Sequence, residues 1–252
     1  MFIDTHCHLT DSYCEGVNNI DTIHRAIDAG VAVMICPTAD PADIPGALKL
    51  AETHKNIFCT IGIHPEYAPL DATQFLTESV LTNPRVVGVG EIGLDYHYGA
   101  DNRAQQIKLF EQQLDIARKY ALPVAIHTRE AEEDTAAILT GDVGGVMHCF
   151  TSSWNLAKTM LDRGFMFSAS GILTFKNAGE IRETFAKIPL DRIVIETDAP
   201  YCAPVPYRGK VCEPAMVIET ARVLAQVKGV SLEQLETLLA ENVKRLYPKI
   251  EL

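Results

Sequence analysis

Residues 86–94 read Val86-Val87-Gly88-Val89-Gly90-Glu91-Ile92-Gly93-Leu94, a near-continuous apolar run that holds a single carboxylate. A run of this kind is what a strand covered on both faces shows. Seven more recur along the chain, at residues 1–8, 31–37, 57–65, 123–129, 145–151, 165–171 and 193–200. Each is rich in β-branched residues and most end in polar ones. Amphipathic stretches separate them. The clearest spans about residues 102–121, where Ile107, Phe110, Leu114, Ala117 and Ala121 mark one helical face. Ser231, followed by Glu233 and Gln234 and then by Leu235, Leu238 and Leu239, predicts a capped C-terminal helix. Helices between covered strands favour a parallel sheet. Eight such units match one α/β domain over residues 1–252, a TIM (β/α)8 barrel, with a doubly wound open sheet as the other topology.

The bulk properties agree. A chain of 252 residues folds to roughly 11,000 Å² of surface against roughly 40,000 Å² unfolded, enough for a sizeable core. With 47% hydrophobic and 22% charged residues, it lies far from the composition of disordered chains. The net charge of −11 opposes DNA binding over a broad basic surface, so any phosphate site is local. Seven cysteines, at positions 7, 14, 36, 59, 149, 202 and 212, form no C-x-x-C pair, and an odd number cannot all pair within the chain. No basic-then-apolar leader and no apolar stretch of membrane-spanning length is present. The expectation is a cytoplasmic protein without a membrane partner.

In a parallel barrel, the carboxyl ends of the strands share one mouth. The predicted strands put His6 and His8 there on one face, with Cys7 on the other. His64 ends the third run, Glu91 lies in the fourth, His127 ends the fifth, His148 the sixth and Asp198 the eighth. One histidine at a strand end is more often a satisfied structural group. His6, His8, His127 and His148 with Glu91 and Asp198, from five strands, are costly to desolvate together without a shared cation. His24 and His54 fall in helical stretches and His97 in a loop, so these three read as structural or solvent-facing.

Seven ordered motifs carry a resemblance. They are Asp4-Thr5-His6-Cys7-His8, Gly62-Ile63-His64-Pro65, Gly90-Glu91-Ile92-Gly93-Leu94-Asp95, His127-Thr128-Arg129, His148-Cys149-Phe150-Thr151, Gly171-Ile172-Leu173-Thr174-Phe175-Lys176 and Glu196-Thr197-Asp198-Ala199-Pro200. Together they resemble the TatD family of metal-dependent deoxyribonucleases over nearly the whole chain. The resemblance implies a TIM barrel and a divalent-metal-dependent phosphodiester hydrolase. By position, it implies that His6, His8 and Asp198 hold one metal and His127 and His148 a second, with Glu91 bridging.

On that footing Glu91 and Asp198 are the candidate catalytic residues. Asp198 is the candidate general base, and Glu196, on the same face, stands behind it. His64, Arg129, Lys176 and Arg208 are candidates for holding substrate phosphates, since imidazole and cationic side chains pair with phosphate oxygens. Imidazole ligands favour Zn, Mn, Fe or Co over Ca or Mg, whereas the family is described simply as divalent-metal or magnesium dependent, and the two expected ions are Zn, Mn or Mg. Near the end the family pattern has Arg-Gly followed by Asn-Glu-Pro. Here the segment is Arg208-Gly209-Lys210-Val211-Cys212-Glu213-Pro214, with Cys212 in place of Asn. Pro214 and Glu213 also suit the start of a helix.

The expected substrate is a DNA end or another phosphodiester, attacked in an exonuclease-like manner, because no basic groove interleaved with aromatics is apparent. The alternative is an amidohydrolase or lactonase acting on a small metabolite. Many such enzymes bridge their ions with a modified Lys, and the fourth run has none. A noncatalytic metal-binding barrel is the third reading.

Overall fold

Each apolar run contains a strand, and the strands pair in parallel in chain order, β1 to β8. They are β1 (Phe2–Asp4), β2 (Val31–Pro37), β3 (Ile57–Thr60), β4 (Val86–Asp95), β5 (Val124–Arg129), β6 (Gly145–Met147), β7 (Met166–Ala169) and β8 (Ile193–Ile195). The computed structural model describes residues 1–10, 12–13 and 19–251; Cys14, and the side chains of residues 98–100, lie outside that description. Between β8 and β1 the ring closes just past the strand ends. The Thr5 N–H donates to the Ile195 carbonyl at 3.1 Å, the Asp198 N–H to His6 at 2.9 Å, and the His8 N–H to Ala199 at 2.8 Å. This is the TIM barrel, and its accessible surface of 10980 Å² matches the value expected for the chain length.

Six of the strands are shorter than the runs that announced them, while β2 matches its run and β4 extends one residue past it. His6, His8, His64, His148 and Asp198 all sit beyond the ends of their ladders. At these five positions the backbone has left the ladder, whereas Glu91 and His127 reach the mouth from within β4 and β5. One end of the barrel is filled by Ile3, Val33, Ile35, Phe58, Val87, Ala125, Val146, Met166 and Val194, plugged by Val243, Leu246 and Tyr247. Strand alternation then carries the same inward face onward, from Ala125 to His127, from Val146 to His148 and from Val194 to Glu196 and Asp198. Polar residues therefore gather at the opposite end. β1 alone breaks parity: Ile3 faces the interior, yet His6 and His8 reach the mouth while Cys7 packs outward.

The helix over Arg103–Tyr120 appears where the periodicity placed it, ending at Ala121 in the left-handed conformation. Its buried face differs from the expectation. Gln106, Leu109, Phe110, Gln113, Leu114 and Ala117 are buried, whereas Ile107 is half-buried and Ala121 exposed. The two glutamines are inside because irregular backbone needs partners there. Gln113 brackets Ile63, accepting from its N–H at 2.8 Å and donating to its carbonyl at 3.0 Å, and Gln106 does the same for Asp95 at 2.8 Å each way. Ser231 caps the C-terminal helix (Leu232–Leu246) in a reciprocal box with Gln234. Glu213 precedes a short 3-10 turn over Pro214–Met216, and its carboxylate is held by Arg25 at 2.7 and 3.0 Å. His24 is exposed and His54 half-buried; His97 belongs to a one-turn helix (Tyr96–Gly99) rather than a loop. None of the described helices is long and apolar enough to cross a membrane.

Candidate metal centre

Glu91 lies at the centre of the mouth, buried, where the ladder between β4 and β5 loses its register between Val89 and Ile92. The slip frees its backbone, and the Glu91 N–H donates to the Thr38 carbonyl at 3.0 Å. Close backbone approach makes this possible. A Cβ on Gly62 would come within 2.6 Å of the Gly90 carbonyl carbon, and one on Gly93, at φ +144°, within 1.9 Å of the His127 carbonyl oxygen.

The two oxygens of Glu91 face different partners. Oε1 lies 2.8 Å from His127 Nδ1, 3.3 Å from His148 Nε2 and 4.0 Å from His64 Nε2. Oε2 lies 3.4 Å from His6 Nε2 and 3.7 Å from His8 Nε2. Asp198 Oδ1 faces the second group, 3.8 Å from His8 Nε2 and 3.9 Å from His6 Nε2. Asp198 adopts φ +59°, a left-handed conformation that costs a non-glycine residue energy and is held by its place in the β1–β8 seam.

The donor set fits a cation. His6 Nε2 is buried and makes no hydrogen bond, although it points at two carboxylates. His6, His8 and Asp198 form one compact group, and His64, Glu91 and His127 another. His148 joins neither group with His127 directly. Its Nε2 lies between Glu91 Oε1 and Asp198 Oδ1, at 3.3 and 4.0 Å, while its Nδ1 faces Glu196 Oε1 at 2.8 Å. The His6 and His148 rings stack with centroids 3.6 Å apart. Packing imidazoles against carboxylates so tightly suits shared positive charge.

Electrostatics point the same way. Burial and the neighbouring His6 push His8 down to about 3. Burial and His127 push His64 down to about 4, and burial with His148 lowers His6. These rings are neutral and ready to donate lone pairs. Burial opposes charge on His148, yet Glu196 and Glu91 raise it to about 10. His127 is likewise raised against burial by its hydrogen bonds to Asp95 and Glu91. On both rings these neighbours favour the charged form, positive charge of the kind an ion would bring. Against burial, His148 and His127 hold the Glu91 carboxyl well below its ordinary range. Burial pushes Asp198 well above its own, against the pull of His148 and with the help of Cys202 and Glu91.

Of the other sequence candidates, His64 caps the turn at Pro65–Tyr67, its Nδ1 accepting from the Glu66 N–H at 3.2 Å. In the neutral ring the proton then belongs on Nε2, which faces the site. Arg129 is exposed at the end of β5, and Lys176 is exposed after β7. Arg208 lies 3.7 Å over the Phe175 ring. Cys212, in the family's Asn position, is buried with its thiol toward the Thr197 and Glu213 carbonyls at 4.0 Å.

Sequence reasoning missed three residues. Asp95 is buried and sets Oδ2 3.1 Å from His127 Nε2, with Oδ1 accepting from the His97 N–H at 2.9 Å. Its signal was alternation, since 91, 93 and 95 share a strand face. Asp4 is fully buried, and burial raises its carboxyl to about 7 even though it accepts from Thr197 and from the His6 N–H. It ties the two chain segments that carry His6 and Asp198. Tyr13 stacks on His8 with centroids 4.3 Å apart, and no sequence signal marked it.

The family described as TatD related DNase matches residues 3–248. An uncharacterized metal-dependent hydrolase of Escherichia coli (strain K12), YcfH, is 37% identical over 262 residues, covering 98% of this chain and 96% of that protein. YabD of Bacillus subtilis (strain 168), also an uncharacterized metal-dependent hydrolase, is 36% identical over 255 residues, covering 98% and 99%. Among solved structures, the TatD homologue YjjV of Escherichia coli K12 superposes with a TM-score of 0.89 at 28% identity, covering 98% of each chain. With its barrel, its histidine and carboxylate clusters and these relatives, the chain belongs to the TatD-related DNase family and is a metal-dependent hydrolase.

Proposed function

We propose that this protein is a deoxyribonuclease that hydrolyses phosphodiester bonds at DNA ends, using two divalent ions drawn from Zn, Mn and Mg. The observation that carries this reading is Glu91, which offers one oxygen to His127 and His148 and the other to His6 and His8. His6, His8 and Asp198 would hold one ion and His127 and His148 the other, with Glu91 between them. The chemistry that such ions would supply when bound is acidification of water and neutralisation of charge growing on phosphorus and the leaving oxygen.

The chain's own residues supply the rest. Asp198, whose Oδ1 lies 3.8 Å from His8 Nε2 and 3.9 Å from His6 Nε2, would take the proton from the attacking water. Glu196 holds His148 by its Nδ1 at 2.8 Å and fixes which nitrogen faces the site. His64, neutral and with Nε2–H turned inward, donates to a phosphate oxygen. Arg129, Lys176 and Arg208 at the rim pair with phosphates further along the strand. The net charge of −11 confines DNA to this mouth, which favours an end over an internal segment. The six described cysteines are free thiols, in keeping with a cytoplasmic setting.

The test is hydrolysis of end-labelled single- and double-stranded DNA by metal-stripped and reloaded protein, beside Glu91→Gln and Asp198→Asn. Cleavage should require reloading and fall in both variants. Turnover of a lactone or amide, with no DNA cut under any of the three ions, would replace this reading by the amidohydrolase one.

A further inference from the structure

Beside the metal centre the mouth opens into a cleft of about 370 Å³ lined by Tyr13, Tyr67 and Tyr201 together with Asp40, Asp43 and Glu66. None of the six takes part in hydrolysis as described above. The Tyr13 ring stacks on His8, with planes 23° apart, so the cleft begins where one metal-facing imidazole ends. Tyr201 meets Tyr13 at 6.4 Å and His8 at 6.3 Å, both nearly at right angles. Among the described residues no ring stacks on Tyr201, and 54% of it is exposed. An aromatic face is thus left open to a flat ligand at the edge of the reaction site. The volume lies within the range of small-ligand pockets.

We propose that this cleft is the subsite for the terminal nucleoside of the substrate, with the base stacked on Tyr201 and a terminal phosphate excluded by Asp40, Asp43 and Glu66. The proposal rests on phosphodiester hydrolysis at the metal centre and adds to it the kind of end that is accepted. Stacking on tyrosine serves any base, because every base has a π face. The carboxylates act as the filter. A phosphomonoester carries nearly two negative charges, and placing it against three carboxylates sets like charges together. Asp40 also accepts a hydrogen bond from the Ala42 N–H at 2.8 Å and Asp43 one from the Ser12 hydroxyl at 2.7 Å, so both carboxylates are held in place. The rim cations Lys176 and Arg208 lie instead in the loops after β7 and β8. The nucleoside end therefore enters the tyrosine cleft, the scissile phosphate lies at the metal centre, and the remaining strand runs toward Lys176 and Arg208.

The test uses the metal-loaded protein and a DNA octamer in three forms: hydroxyls at both ends, one phosphate at the 5′ end, or one phosphate at the 3′ end. Bis(4-nitrophenyl) phosphate serves as a minimal diester. A phosphate on the attacked end should lower kcat/KM about tenfold, and one on the far end should change it little. The double variant Asp40→Asn/Glu66→Gln should abolish that discrimination. Tyr201→Ala should raise KM for the octamer about tenfold, and Tyr201→Phe should restore it. Equal rates for the three octamers, or an unchanged KM in Tyr201→Ala, would overturn the subsite while leaving hydrolysis intact. Failure to cleave any octamer would overturn the deoxyribonuclease reading, and the subsite with it.

Discussion

Asp95 Oδ2 lies 3.1 Å from Nε2 of His127, on the opposite side of the ring from Glu91. That contact turns Nδ1 toward the centre, where it would be the donor atom to an ion. Partners of this kind behind a ligand histidine typically contribute a factor of 10 to 100 in metal affinity. Asp95→Asn should therefore weaken divalent-ion binding by about 10- to 100-fold. Chelator competition measures this directly, and an unchanged affinity would remove the role assigned to Asp95.

Glu91→Gln keeps the shape of the side chain and deletes its charge. With no carboxylate between the two histidine sets, the ratio of bound metal to protein should fall, and kcat should drop by about 100- to 1000-fold or more. Elemental analysis beside a rate measurement separates loss of metal from loss of chemistry.

His64 belongs by position to the compact group with Glu91 and His127, yet its Nδ1 is already engaged by the Glu66 N–H. If it holds phosphate, His64→Ala should keep the full metal content while kcat/KM falls by about tenfold or more. Loss of one equivalent of metal in that variant would make it a ligand instead.

Metal uptake should release protons. Against burial, Glu196 and Glu91 raise His148 from 6.5 to about 10, so near neutral pH it must give up a proton before it can donate to an ion. Calorimetry in buffers of differing ionisation enthalpy should show that release. The sign for stability follows from the same shift. A histidine whose folded value is raised contributes stability that is complete below about 6.5 and lost as the pH rises through about 10. The metal-free protein should therefore show a falling Tm between those limits, and the metal-loaded protein a flatter profile.

Gly93→Ala should prevent normal folding or lower stability by roughly 3 kcal/mol or more. The added Cβ meets the His127 carbonyl oxygen at 1.9 Å, and φ at this position is +144°. Soluble yield and thermal unfolding report the effect.

The eight apolar runs, and the histidines and carboxylates at their ends, were legible because strand cores and strand tips have opposite chemistry. Glu91 stood out as the one charge in the apolar run over residues 86–94. Asp95 was overlooked at the tip of that strand, where a carboxylate is unremarkable until His127 is seen beside it. Gln106 and Gln113 were hidden for a related reason. An amide reads as surface on a helical wheel, and only the bent backbone at Ile63 and Asp95 explains why it lies inside. Tyr13 and Tyr201 are more than 180 residues apart in the chain, and no local pattern links them.

The chain by itself determined eight strand and helix units with polar residues at the strand tips, because hydrophobic period and strand-end polarity are written locally, whereas the β1–β8 seam decided closure into a barrel over an open doubly wound sheet. Tertiary structure decided which atoms meet. The parity break after Thr5 turns His6 and His8 into the mouth, the register slip at Glu91 divides its oxygens between two histidine sets, and the β1–β8 seam holds Asp198 at φ +59°. Each of these depends on contacts between strands far apart in sequence, where a shift of one residue would send every side chain to the other face.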